Sequence, residues 1–268
     1  MTNTLEITVQ NRVAKVFLNR PEVRNAFNDG VISELAETFT RLGQDPGVRV
    51  IVLGGHGKAF CAGADLNWMK SMAGYGWEDN RADATRLAEM LWAIYSCPLP
   101  VVGRLHGDCY AGGMGLAACC DVLVASREMH FCLSEARIGL IPATIGPYVI
   151  RALGEQAARR YFITGEKFDA VRARDLGFVH EVVQTDQLNF QSDSSLLDSK
   201  VNEIVATLLA NGPGAVKACK RLVKDVAGRE ITPELRAETA RRIADIRASE
   251  EGREGVQAFL NKREPGWK

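Results

Sequence analysis

Glu135 is a lone carboxylate among apolar neighbours, following Phe131, Cys132 and Leu133 and preceding Ile138. Upstream of it lies a turn with Gly112, Gly113 and Gly115, directly before the small-residue run Leu116–Cys120. Glycines at that density remove side chains where backbone must come close to something else. A glycine turn that opens a helix also presents unpaired N–H groups at the positive end of the helix dipole, where developing negative charge is favoured. Amides facing an anion, with one carboxylate nearby, can make and protonate an oxyanion. Each piece also has a plainer reading: tight packing for the glycines, a surface position or helix cap for Glu135. A second turn of the same kind, Gly54–Met69 (GGHGKAFCAGADLNWM), with Ala62-Gly63-Ala64-Asp65 at its junction, favours the chemical reading.

The elements that must position these turns are legible from periodicity. Leu5, Ile7 and Val9 alternate with polar residues and, with Val13–Leu18, predict a β-hairpin across Gln10–Arg12. A helix carries Ile32, Leu35, Ala36 and Phe39, and Val48–Leu53 reads as a buried strand. Leu87, Met90, Leu91 and Ile94 form a helical stripe that Pro98 and Pro100 end before a strand at Val101–Val102. Asp121–Ala125 and Phe131–Leu133 are predicted strands; Tyr148–Leu153, Glu155–Thr164 and Ala170–Leu176 are predicted helices, and Phe178–Val183 a short strand. The serine-rich stretch Gln191–Ser199 is expected to be a loose surface connection. Beyond it, Thr232-Pro233 and Ser249 mark two helix starts. The expected division is a sheet-rich core over 1–195 and a helical region over 196–268.

Length and composition set the bounds. The 268 residues suffice for a large core. Lysine plus arginine equals aspartate plus glutamate at 33 each, which gives no electrostatic footprint for nucleic acid or an anionic membrane. The seven cysteines show no CxxC or other metal spacing, so no metal is expected and they read as small buried residues in a reducing compartment. MTNTLEITVQ lacks the regions of a signal peptide, and no apolar run is long enough to span a bilayer. A cytoplasmic protein is the expectation.

The segments Phe60-Cys-Ala-Gly-Ala-Asp-Leu66, Ala111-Gly-Gly-Met-Gly115 with Asp121, and Ser134-Glu135 with Gly139-Leu-Ile-Pro142 occur in an order that resembles the enoyl-CoA hydratase/isomerase (crotonase) superfamily. Asn19-Arg-Pro-Glu22 with Asn25-Ala26, and Glu254-Gly-Val256 with Ala258-Phe259 and Lys262-Arg263, fit its two ends, so the resemblance spans the chain. Within it, Cys119-Cys120-Asp121 with the Cys132–Leu140 segment and ADLNWMK resemble the branch that hydrates methylglutaconyl-CoA in leucine breakdown.

The resemblance implies an α/β fold, a crotonase-like spiral of ββα units with a C-terminal helical region that builds trimers or hexamers. It implies an acyl-CoA thioester as substrate and no separate cofactor. The backbone amides of Ala64 and Gly112 would hold the thioester oxygen, and Glu135 would act as acid and base. Ala62, Asp65 and Leu66 would line the adenine pocket. Arg24 would meet CoA phosphates, as would Lys262 with Phe259, commonly from a neighbouring subunit. The sequence departs from the family at one position: the first of its two glutamates falls on Gly115, twenty residues before Glu135. One carboxylate suffices for double-bond isomerisation, so that reaction stands beside hydration of a branched 2-enoyl-CoA. A non-catalytic CoA-ester or RNA-binding protein is a third reading, to which the balanced charge gives no support. Asp108 could supply a second acid, and Arg137 or Arg104 could pair with a substrate carboxylate. His106, His130 and His180 read as structural, and Asp121 as serving backbone hydrogen bonds.

Overall fold

The computed structural model describes residues 4–184 and 194–268. The chain begins with β1 (Leu5–Gln10) and β2 (Val13–Leu18), the predicted hairpin, followed by α1 (Asp29–Gln44), β3 (Val50–Gly55), α2 (Leu66–Met72) and α3 (Trp77–Ser96). Next come β4 (Val101–Leu105), β5 (Asp108–Tyr110), α4 (Gly112–Ala118), β6 (Val122–Ser126) and β7 (His130–Cys132). Helices α5 (Gly146–Leu153) and α6 (Glu155–Thr164), β8 (Lys167–Asp169), α7 (Ala170–Asp175) and β9 (Glu181–Val183) complete the sheet region. Four helices follow: α8 (Ser194–Ala210), α9 (Pro213–Val226), α10 (Pro233–Ala248) and α11 (Glu250–Leu260). The large sheet has the order β1-β2-β3-β4-β6-β9, and a small one has β5-β7-β8. Only β1 runs antiparallel in the large sheet, so β3, β4 and β6 all deliver their chain to the same end.

Strand alternation divides the packing between two faces. Ile51, Leu53, Val101, Leu105 and Leu123 join α1 and α3 in the main core, where Phe39, Met90, Leu91 and Ile94 are buried. Val50, Val52, Val102 and Val124 face the other way and are covered by Leu197, Val201 and Val205 of α8. Each such buried side chain contributes about 1.5–3 kcal/mol. The expected loose connection at Gln191–Ser199 is therefore corrected. Residues 191–193 lie outside the described residues, but Ser194 onward is helical. Apolar residues at four-residue spacing, Leu197, Val201 and Val205, override the serine-rich composition, and the first helix after 196 completes the core.

The strand expected at Val48–Leu53 instead runs through Gly54 and Gly55, which pair with Phe17 and Leu18. A Cβ on Gly54 would lie 2.8 Å from the Phe17 ring, and one on Gly55 2.8 Å from Asn25 Nδ2, so these glycines make room for neighbouring side chains rather than for a turn. The caps expected at Thr232 and Ser249 are present, accepting from the Leu235 and Gly252 amides.

Candidate active site

The site grows from the ends of β3 and β4. After β3 the chain makes the 56–65 loop into α2; after β4 it passes through β5 to Ala111 and into α4. The two loops are sewn together by Phe60 N–H to His106 O (2.8 Å), Cys61 N–H to Asp108 O (3.2 Å) and Tyr110 N–H to Cys61 O (2.9 Å). Their glycines make this approach possible. A Cβ on Gly113 would lie 2.7 Å from Cys61 O, and one on Gly63 would lie 3.1 Å from the Ala111 Cβ. Ala64 and Gly112 are thereby brought to adjoining turns. Neither amide donates to an intramolecular acceptor among the described residues, while Phe27, Asp65, Ala111 and Met114 beside them all do.

Ala111, just before Gly112, has φ +47° and ψ −119°, a conformation that side-chain-bearing residues rarely adopt. It is held by its N–H donating to Cys132 O at 2.8 Å. Cys132 ends β7, and three residues later Glu135 opens a one-turn helix, Glu135–Ile138. Strand β7 thus links the amide turn to the carboxylate. Burial pushes the Glu135 carboxyl above the ordinary glutamate value, only partly opposed by its own backbone N–H, and its buried Oε2 has no hydrogen-bond partner. A desolvated, unpartnered carboxylate three residues past the strand that holds the amide turn is suited to moving a proton.

The place of the missing glutamate is not an open pocket. Gly115 is buried, and a Cβ there would lie 2.2 Å from Ile145 Cγ2 and 3.4 Å from Leu91 Cδ2. Ile145 fills the position, which leaves Glu135 as the carboxylate without a partner.

The other expected site residues divide by what their side chains already hold. Arg24 and Asn25 both have left-handed backbone, and the Arg24 carbonyl accepts Ala62 N–H at 3.0 Å, so Arg24 and Ala62 sit together. Asp65 is buried. Its Oδ1 caps α2 through the amides of Asn67 (2.8 Å) and Trp68 (3.4 Å), and Oδ2 takes Arg20 Nη2 at 2.8 Å. Burial would raise the Asp65 carboxyl, but Arg20 and the two amides outweigh it and hold it below the ordinary range. Its carboxylate is thus structural, which leaves backbone for any adenine contact; Leu66 is 74% exposed beside it. Phe259 is 82% exposed on α11. α11 joins α9 and the C-terminal tail, and these meet the strand starts, through Lys220 at Asp121 and Trp267 O at Arg49. Within one chain, therefore, Phe259 and Lys262 belong to the end of the sheet opposite Glu135.

Asp108 accepts the Tyr110 hydroxyl at 2.6 Å and faces Arg24 at 3.4 Å, so both its oxygens have partners. Arg104 is buried and paired with Asp198 of α8, which removes it as a substrate contact. Arg137 donates to Gly165 O. His106 donates from Nε2 to Gly57 O at 2.8 Å and is pushed below its ordinary pKa chiefly by burial; His180 accepts Leu123 N–H at 3.0 Å. Both are structural, as is Asp121, which accepts Val101 N–H at 2.7 Å. Sequence reasoning passed over Arg20 and Asn25. Asn25 ties its loop to the 56–59 segment by donating to His56 O and Ala59 O at 2.8 Å each. The signal was present in Asn19-Arg-Pro and Asn25-Ala, noted only as family resemblance. Among the described residues, no group of three or more His, Cys, Asp or Glu could hold a metal, and no helix is long and apolar enough to cross a membrane.

Comparison with known proteins places this geometry. The enoyl-CoA hydratase/isomerase family profile matches residues 8–268. The 2,3-dehydroadipyl-CoA hydratase of Escherichia coli K12 is 30% identical over 267 residues, covering 98% of each chain. The mevalonyl-coenzyme A hydratase sidH of Aspergillus fumigatus is 32% identical over 256 residues, covering 94% of this chain and 89% of its own. The crystal structure of an enoyl-CoA hydratase from Shewanella pealeana superposes with a TM-score of 0.91 at 38% identity, covering 98% of this chain and 96% of that one. With the glycine turns, the unpaired amides and Glu135 in these positions, the chain belongs to the enoyl-CoA hydratase/isomerase family.

Proposed function

We propose that the protein hydrates a branched 2-enoyl-CoA whose acyl group ends in a second carboxylate, of the methylglutaconyl type, with Glu135 as its single acid–base group. The observation that carries this reading is the desolvated Glu135 Oε2 without a partner, three residues past Cys132, whose carbonyl holds the turn of the Gly112 amide. Water attacks C3 as Glu135 takes one of its protons. The electrons pass to the thioester oxygen, where the Ala64 and Gly112 N–H groups stabilise the enolate, and protonated Glu135 returns the proton at C2. Donors fixed in advance favour the charged intermediate over the neutral thioester. Because Ile145 closes the Gly115 position, orienting the water falls to another acceptor, and the substrate's distal carboxylate is the one this reading assigns. The E. coli relative is named for a dicarboxylic acyl group, which supports a substrate of that class.

The same closure at Gly115 favours one other reaction, Δ3–Δ2 isomerisation, in which Glu135 moves a single proton between carbons. Turnover against a panel separates the two. The hydratase reading expects a branched enoyl-CoA with a distal carboxylate to be hydrated faster than crotonyl-CoA, and faster than a 3-enoyl-CoA is isomerised. The reverse order on the last pair replaces hydration by isomerisation. The reading includes a homotrimer or homohexamer, supported by exposed Leu222, Val223, Val256, Phe259 and Leu260 on α9 and α11. In it Lys262 and Phe259 reach CoA across a subunit boundary while Arg24, Ala62, Asp65 and Leu66 bind it within the chain. A monomer by light scattering at micromolar concentration would refute that arrangement.

A further inference from the structure

Glu135 opens a short turn whose position depends on what it is tied to. Residues Glu135–Ile138 make one turn of 3₁₀ helix in which Glu135 is half-buried, the other three are exposed, and Ile138 is 59% exposed. A single such turn has little stability of its own, and apolar burial does not anchor this one. Backbone bonds from Arg137 N–H to Ser134 O, Gly139 N–H to Ala136 O and Leu140 N–H to Glu135 O close it, and the Arg137 side chain ties it to the end of α6. Its Nη2 donates to the Gly165 carbonyl, and its stem lies flat on that residue, where a Cβ would meet Arg137 Nε at 3.2 Å and Cγ at 3.3 Å. Gly165 is the left-handed C-cap of α6, at φ +60°, held by its own N–H to Tyr161 O. The same Gly165 oxygen accepts the Cys132 thiol at 3.1 Å. Cys132 in turn gives its carbonyl to Ala111 N–H, the residue in the strained conformation before Gly112. One carbonyl therefore receives both the turn that carries the base and the strand that holds the amide turn.

We infer that Arg137 is a positioning residue: through Gly165 it sets Glu135 relative to the Gly112 amide. This rests on Glu135 being the base. The Arg137 guanidinium is directed at the Gly165 carbonyl, so Arg137 acts on where the carboxylate is. Its guanidinium has five donors and needs one for this contact, so a lysine can replace part of the function.

The test is a double-mutant cycle with steady-state kinetics on the best substrate. Arg137→Ala is expected to lower kcat about 10- to 100-fold, the scale of a misplacement near one ångström. KM should stay within about twofold and the acid limb of the pH profile should stay in place, with Arg137→Lys recovering part of kcat. Gly165→Ala, which pushes on Arg137 from the other side, should lower kcat in the same way and serves if Arg137→Ala folds poorly. In a Glu135→Gln background, Arg137→Ala should cost nothing more, because its effect passes through Glu135. An equal loss in both backgrounds, or unchanged kcat in folded Arg137→Ala or Gly165→Ala, overturns the inference. Full activity in Glu135→Gln alone would instead overturn the base assignment on which it rests.

Discussion

The two ends of the parallel strands use the same chemical groups in opposite ways. Where the strands begin, Asp121 takes both Val101 N–H and Lys220 Nζ, and Glu251 takes the Gly214 and Ala215 amides at 2.8 Å each. Arg49 there donates to the carbonyls of Leu209, Asn211 and Trp267. Where the strands end, the Ala64 and Gly112 amides have no acceptor and Glu135 Oε2 no donor among the described residues, and Ala111 is held in a rare conformation. Leaving a buried polar group unmet costs about 1–3 kcal/mol. One end satisfies its groups and supports the fold; the other leaves them unmet, which suits a substrate that brings an oxygen and a proton.

Glu135→Gln attacks that contrast most strongly. The amide keeps the shape and removes the base, so kcat should fall at least about 10²-fold while acyl-CoA still binds. It should also stabilise the protein at neutral pH. A carboxyl raised in the folded state binds its proton more tightly than in the unfolded chain. Folding stability is therefore lost as pH rises from the unfolded toward the folded pKa, and removing the charge recovers it. Melting curves at pH 4 and pH 8 test this, with a gain at pH 8 that shrinks at pH 4.

Gly112→Ala should have a smaller effect, about 10- to 100-fold in kcat, because the donor remains but moves. The added Cβ would lie 2.5 Å from Phe27 Cε2 and must push the turn aside. That is below the loss expected from removing such a donor outright.

At the satisfied end the signature reverses. Asp121→Ala takes the acceptor from the Val101 amide and leaves Lys220, 16% exposed, with Leu99 O alone, and should cost about 1–3 kcal/mol in chemical denaturation. Its kcat should stay within about twofold of the parent. A large kcat loss there would blur the distinction between the ends. Smallest is the effect at the rim: Arg24→Ala with Lys262→Ala should raise KM several-fold, about 0.5 kcal/mol for each exposed cation, and less at high salt.

What the sequence made legible follows its periods and caps. The hairpin, α6 over Glu155–Thr164 and the Thr232 and Ser249 caps are local patterns, and the structure reproduces them. Strands β5 and β8, three residues each with one buried residue between two more exposed ones, have no apolar run to mark them, unlike the equally short β7 and β9, which overlap the predicted Phe131–Leu133 and Phe178–Val183 segments. The order of the glycine turns and Glu135 pointed to amides and a carboxylate at one site. Which groups are already spent could not be read, because the partners lie far along the chain. Asp65 is spent on Arg20, Arg104 on Asp198, and the Gly115 position is filled by Ile145. Contacts of that range leave no local pattern.

The most direct test of the account is the pH dependence of kcat/KM for the parent enzyme beside Glu135→Gln. If a desolvated Glu135 without a partner is the base, activity in the parent rises with pH through an apparent pKa above the ordinary glutamate value, and that limb is absent from the residual activity of Glu135→Gln. An unchanged limb in Glu135→Gln, or a parent profile flat across the acid range, would contradict it.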